Sequence, residues 1–221
     1  IPPKNLYEGG LQRKLFLPAI KAIENSCDVY HLDSNTDFRL RALEKSGSYF
    51  YPCEDKKEVI ENIFNEITQN KRDEKDFISI NNRKIMVIAF SKGVLWVNFQ
   101  QICSSPRSAP DYIEVSKEFH TIVLSEVPMI NSDDEARRFI SFIDECYDRK
   151  VKLIISAAEL PENLYVKTRL REKYKRTISR LVEMQSKDYL SQAHLAWKYI
   201  DRLHIKHINV NIKKYERYSR N

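Results

Sequence analysis

Residues 120–127 read HTIVLSEV and residues 151–157 read VKLIISA, and between them residues 133–150 read DDEARRFISFIDECYDRK. The two outer runs are almost continuously apolar, the pattern of strands covered on both faces rather than of strands with one wet side. In the intervening stretch Ala136, Phe139, Ile140, Ile143, Cys146 and Tyr147 recur at helical spacing, which predicts a helix over Asp134–Lys150. A buried strand, a crossover helix and a second buried strand make a right-handed parallel unit. The chain is therefore placed in the α/β class.

Outward from this unit, Arg169–Leu190 is predicted as one long helix with Leu170, Tyr174, Ile178 and Leu181 on one side. On the amino-terminal side, Phe77–Ile80, Lys84–Phe90 and Val94–Phe99 are separated by Asn81-Asn82 and Lys92-Gly93, which predicts a small antiparallel β-meander. Pro106, Pro110 and three serines mark residues 103–111 as a loop. Val59, Ile60, Ile63, Phe64 and Ile67 form the stripe of an amphipathic helix over Lys56–Asn70. Leu11, Leu15, Ala19, Ile20 and Ile23 predict an earlier helix that Pro18 kinks or restarts, followed by a strand over Asp28–Leu32. Near the end, Ile208, Val210 and Ile212 alternate with Asn209 and Asn211 as in a short strand. Pro161-Glu162-Asn163-Leu164-Tyr165 echoes Pro3-Lys4-Asn5-Leu6-Tyr7, either as a common post-strand turn or as a degenerate duplicated unit.

Composition narrows the class. The chain has 221 residues, 42% hydrophobic and 31% charged, which is ordinary for a globular protein. No apolar run approaches the roughly 20 residues needed to cross a bilayer. Cys27, Cys53, Cys103 and Cys146 are widely spaced without a CxxC, as in a reduced compartment: the interior of a bacterium, or the mitochondrial matrix. Cys27 and His31 would lie about 13 Å apart on a strand, too far to share a zinc ion. His204 and His207 read as two solvated histidines of a basic tail. The net charge is +6, and residues 191–221 hold seven basic residues against two acidic ones, so the excess is concentrated there. Such a tail suits nucleic acid or an anionic surface, or serves only to solubilise. The first residue is Ile1 rather than Met, and a longer reading frame upstream is expected.

Several strings taken in order resemble the ZapE-type cell-division ATPases of the AAA+ class and their mitochondrial relatives. They are Ile1-Pro2-Pro3-Lys4-Asn5-Leu6-Tyr7, Gly10 to Ile20 (GLQRKLFLPAI), Asp37-Phe38-Arg39-Leu40-Arg41, Asp111-Tyr112, Phe119-His120-Thr121, Val127-Pro128, Glu135 to Ile140 (EARRFI) and Ser179 to Ser186 (SRLVEMQS). The resemblance covers residues 1–190. It implies the C-terminal part of an AAA+ P-loop NTPase: residues 1–33 ending the core, 34–110 a helix with the β-meander, 111–190 the β-α-β unit and long helix, and 191–221 a basic tail. It also implies ATP and Mg as cofactors of the full-length protein, bound through a phosphate loop, a Walker-B carboxylate pair and a sensor Asn that would all lie upstream of Ile1. The glycines of this chain are Gly9, Gly10, Gly47 and Gly93, and none begins the G-x-x-x-x-G-K-[ST] pattern whose bare amides approach phosphate. The fragment alone is therefore expected to be inactive.

Within that resemblance Arg13 occupies the position of an arginine finger reaching a neighbouring subunit's nucleotide, where a guanidinium stabilises charge on the transferred phosphoryl group. The alternative is a surface pair with Glu8 or another carboxylate. Arg137 and Arg138 resemble the sensor-2 arginines, which contact phosphate within their own subunit; the alternative is pairing with the acidic turn Asp133-Asp134-Glu135. Arg169, Lys173, Arg176 and Arg180 form a basic stripe that is either solvated or laid on an acidic partner. Glu126 ends a Walker-B-like strand without a preceding Asp and reads as structural. The implied partners are cell-division or membrane-associated proteins, with a homo-oligomer as the assembly, and the implied location is the bacterial cytoplasm at the inner face of the membrane. A non-enzymatic protein- or nucleic-acid-binding module using the basic tail is the alternative; salt-dependent binding lost on deleting residues 191–221 would mark it.

Overall fold

The computed structural model describes residues 13–27, 43–53 and 56–195, together with Pro3 and Leu6. The strands predicted over Asp28–Leu32 and around Ile208–Ile212 lie outside the described residues. The chain divides into two compact units, residues 1–37 and 38–221. In the first, helix α1 (Arg13–Ser26) runs through Pro18 without interruption and exposes Leu15, Phe16, Leu17 and Ile23.

The second unit is built on a five-stranded sheet. Its strands are β1 (Tyr49–Phe50), β4 (Ala89–Ser91), β5 (Val94–Asn98), β6 (Thr121–Val127) and β7 (Lys152–Ala157), in the order β1-β7-β6-β5-β4. The first four strands of that order are mutually parallel, and β4 turns back on β5. Helix α2 (Lys57–Thr68) follows β1, helix α3 (Ala109–Glu118) joins β5 to β6, and helix α4 (Asp133–Asp148) joins β6 to β7. The fold is a parallel-dominated α/β sheet with a small antiparallel sheet, as expected. The antiparallel part differs in detail. The predicted Lys84–Phe90 strand is divided at Val87-Ile88, so that β2 (Phe77–Ile80) and β3 (Arg83–Met86) form their own hairpin while β4 joins the main sheet.

Alternation along each strand sorts the core into two layers. Leu95, Val97, Ile122, Leu124, Leu153 and Ile155 face α3 and α4, where Val115, Phe139, Phe142 and Ile143 are all buried. Val94, Trp96, Val123 and Ile154 face the other way, onto Ile60, Ile63 and Phe64 of α2. Each such fully buried side chain stabilises the fold by about 1.5–3 kcal/mol. Helix α2 thus covers one face, and α3 and α4 the other.

Three features were not apparent from periodicity. The Pro-rich loop is short, because α3 begins at Ala109, with Pro110 in its first turn and Asp111 reaching back to the Ser108 amide at 2.9 Å. The long C-terminal helix is two helices, α5 (Arg171–Glu183) and α6 (Lys187–Ser191), because the Ser186 hydroxyl accepts the Tyr189 amide and starts a new helix. At the β4–β5 turn Gly93 has φ +76°, and an added Cβ would lie 2.5 Å from the His120 ring. Only glycine meets both conditions.

Candidate functional site

Parallel α/β sheets bind ligands beyond the carboxyl ends of their strands, where successive connections leave for opposite faces. Here that place is the crevice between β1 and β7, since α2 departs from β1 to one face and α4 serves β6 and β7 on the other. Beside it, β6 is irregular between Leu124 and Val127. Glu126 stands there with φ +59°, its amide donating to the Ser156 hydroxyl at 3.1 Å and its side chain exposed. The neighbouring Ser125 hydroxyl accepts the Trp96 indole N–H at 3.2 Å. Tyr49 donates its hydroxyl to the Glu159 carbonyl at 2.7 Å, tying β1 to the segment after β7. A left-handed conformation at a glutamate is costly and was not apparent in the sequence, which marked Glu126 only as a strand end.

The described residues of this crevice do not form a phosphate loop. The sequence connecting β1 to α2, Tyr51-Pro52-Cys53-Glu54-Asp55-Lys56, holds no glycine to offer phosphate a bare amide, and Glu126 is an exposed carboxylate at the end of β6.

The sequence-predicted arginines are distributed as follows. Arg13 is the first residue of α1, in the first unit. Arg137 and Arg138 are adjacent on α4. Arg137 is half exposed, 4.0 Å from Asp134. Arg138 turns inward and donates through Nε to the Cys103 carbonyl, with Nη2 3.5 Å from the Ser104 carbonyl. Both acceptors belong to a π-turn, Gln100–Ser104, that leaves the carboxyl end of β5. The same turn is held by Tyr112, whose hydroxyl donates to the Ile102 carbonyl, and by Arg107, whose Nε donates to the Gln101 carbonyl. Burial raises the Cys103 thiol pKa well above the ordinary range, with Arg138 opposing, so it stays protonated and inert.

Three of the four members of the basic stripe meet carboxylates of α4, although only Arg180 is largely covered. Arg176 and Arg180 pair with Asp144 of α4, Arg180 also meets Asp148 at 3.4 Å, and Arg169 pairs with Asp133 at 3.3 Å. The Tyr165 hydroxyl donates to Asp133 at 2.9 Å, and this bond is the main reason the Asp133 carboxyl is held below its usual range. Lys173 of the same stripe faces solvent.

A sequence model of the AFG1-like ATPases matches residues 1–193. The chain belongs to the AFG1-like ATPase family. It is 40% identical over 199 residues to the Cell division protein ZapE of Escherichia coli K12, covering 89% of this chain and 53% of that protein. A Schizosaccharomyces pombe protein, C115.02c, is 36% identical over 74% of the chain, and Lactation elevated protein 1 homolog B of Danio rerio is 31% identical over 71% of it. This AFG1-like chain spans about half the length of the ZapE relatives it matches, or less for the eukaryotic ones. No solved structure matches it. The family match ends at residue 193, within the last described segment of the chain.

Proposed function

We propose that this chain is the carboxyl-terminal half of an ATP-driven AAA+ motor that remodels division or membrane-associated proteins. The observation that carries the reading is the family match across residues 1–193, joined to identity with ZapE over about half of that protein's length. In this reading ATP and Mg are held by parts of the whole protein outside these 221 residues, and the chain alone is without ATPase activity. The proposed setting is a homo-oligomer in the bacterial cytoplasm at the inner membrane face, or in the mitochondrial matrix of a eukaryote.

Arg13 is proposed to supply its guanidinium across a subunit boundary, where charge develops on the transferred phosphoryl group. Arg137, half exposed beside Asp134, is proposed to reach phosphate, and Arg138 to position the π-turn behind it. Arg13→Ala in the assembled full-length protein is expected to lower ATPase turnover about 10³-fold or more, the scale of other arginine fingers. Unchanged turnover would remove Arg13 from the mechanism, and tight ATP binding by the 221-residue chain alone would overturn the reading as a whole.

A further inference from the structure

The segment after α5 is fastened to the amino-terminal edge of the parallel sheet, opposite the crevice described above. Tyr189 on α6 donates its hydroxyl toward the carbonyls of Cys146, Tyr147 and Val151, at 3.2–3.3 Å. The Lys152 ammonium, at the start of β7, donates to the carbonyls of Tyr189 and Gln192. The Leu195 amide donates to the Arg149 carbonyl at 2.8 Å. Between these ties stands His194, half-buried, with Nε2 2.7 Å from the Ser116 carbonyl of α3 and its ring edge-on to His120 at 6.4 Å.

A carbonyl only accepts, so Nε2 of His194 carries the hydrogen and Nδ1 is the position that gains a proton as pH falls. The charged form is badly placed. Among the described residues, His120 ahead of β6 lies edge-on to it, and the nearby cations are Lys152 on β7 and Arg149 at the end of α4; Arg149 is itself held by Glu145. On α3 the charged residues flanking Ser116 are Lys117, paired with Glu114, and Glu118. Burial holds the His194 pKa below the ordinary histidine range; the Ser116 bond opposes this, and the Lys152 and Arg149 cations reinforce it.

We propose that residues 192–195 are a proton-released latch, in which neutral His194 holds the segment against the sheet edge and protonated His194 lets it go. Either form loses the Nε2 hydrogen bond to Ser116 by detaching, but only the imidazolium also escapes two like charges and regains the water its charge requires. The sign follows from linkage. A base whose folded-state pKa is depressed contributes stability that is present above its free value of about 6.5 and lost as pH falls through the folded value. The latch lies where the family match ends and the basic C-terminal residues begin.

The test is amide hydrogen exchange by NMR on the full 221-residue chain at pH 7.5 and 5.5, corrected for intrinsic exchange. Protection of the Leu195 amide is expected to fall by up to about tenfold for each unit by which the His194 pKa is depressed. Val123 in the sheet interior should keep its protection. His194→Gln retains a donor for the Ser116 carbonyl without titrating, so its Leu195 protection should be the same at both pH values. Equal protection at the two pH values in the native chain, the same fall in His194→Gln, or a parallel loss at Val123 would each overturn the latch. The His194 Cε1–H titration gives an independent reading: an apparent pKa above 6.5 would overturn it without recourse to any variant.

Discussion

At the scale of single residues, Asp111 carries more of the fold than its place in a Pro-rich stretch suggested. Its carboxylate accepts from the Ser108 amide and hydroxyl, from Asn81 at 3.1 Å and from Arg83 at 3.4 Å, with its own side chain almost wholly buried. It thus both starts α3 and pins the turn of the β2–β3 hairpin. The spacing Ser108-x-x-Asp111 is that of a capping box and was available in the sequence, but Pro106 before it and Pro110 within it spoke for a loop. The contact with Asn81 and Arg83, about 30 residues earlier in the chain, has no local signal. Burial raises the Asp111 pKa, but the hydrogen bonds from Ser108 and Asn81 and the Arg83 charge outweigh it, and the net shift is downward. The stability that Asp111 contributes is therefore complete above its unfolded value of about 3.9 and lost as pH falls through the lower folded value. Asp111→Asn should cost about 1–3 kcal/mol at pH 7 by urea denaturation, and the variant should lose less stability than the native chain between pH 5 and pH 3. An unchanged midpoint at pH 7 would show that the network is dispensable.

Among the elements, the β6–α4–β7 unit was fully legible, because its apolar runs and helical stripe are local patterns. The clasp between α4 and α5 was only half legible. Spacing revealed a basic stripe on α5, but not its acidic counterpart, which lies more than 30 residues away on α4. The members of the clasp are unequal. Arg176 is more than half exposed, so its pair with Asp144 contributes at most about 1 kcal/mol. Arg180 is 19% exposed, meets both Asp144 and Asp148, and lies 4.6 Å from the centre of the Tyr147 ring. The Tyr147 hydroxyl in turn donates to Glu183 of α5 at 2.8 Å. Arg180→Met is expected to destabilise by about 1–3 kcal/mol and Arg176→Met by less than 1, with only the Arg176 effect vanishing in 1 M salt. Equal losses for the two variants would mean that burial does not separate them.

On the scale of the whole molecule, the described members of both core layers lie between Leu43 and Leu190. Ile20 of α1 is buried but belongs to neither layer. Every described member of the two layers thus falls within the second unit, residues 38–221. The order β1-β7-β6-β5-β4 could not be read from the sequence. β1 is only two residues long, and its place beside β7 is a pairing across more than 100 residues that no periodicity encodes. Yet this pairing forms the outer strand of the described sheet on that side: the Ile155 amide donates to the Ser48 carbonyl at 2.8 Å, and Tyr49 reaches Glu159. A chain of residues 38–195 contains every member of both layers, the β1 edge and the sheet-edge fastening at Leu195. It should fold by itself and unfold in urea as one cooperative transition, with tyrosine near-UV dichroism and far-UV dichroism changing together. If the two signals separate, or the near-UV signal is missing from the start, residues 38–195 do not form a folding unit by themselves.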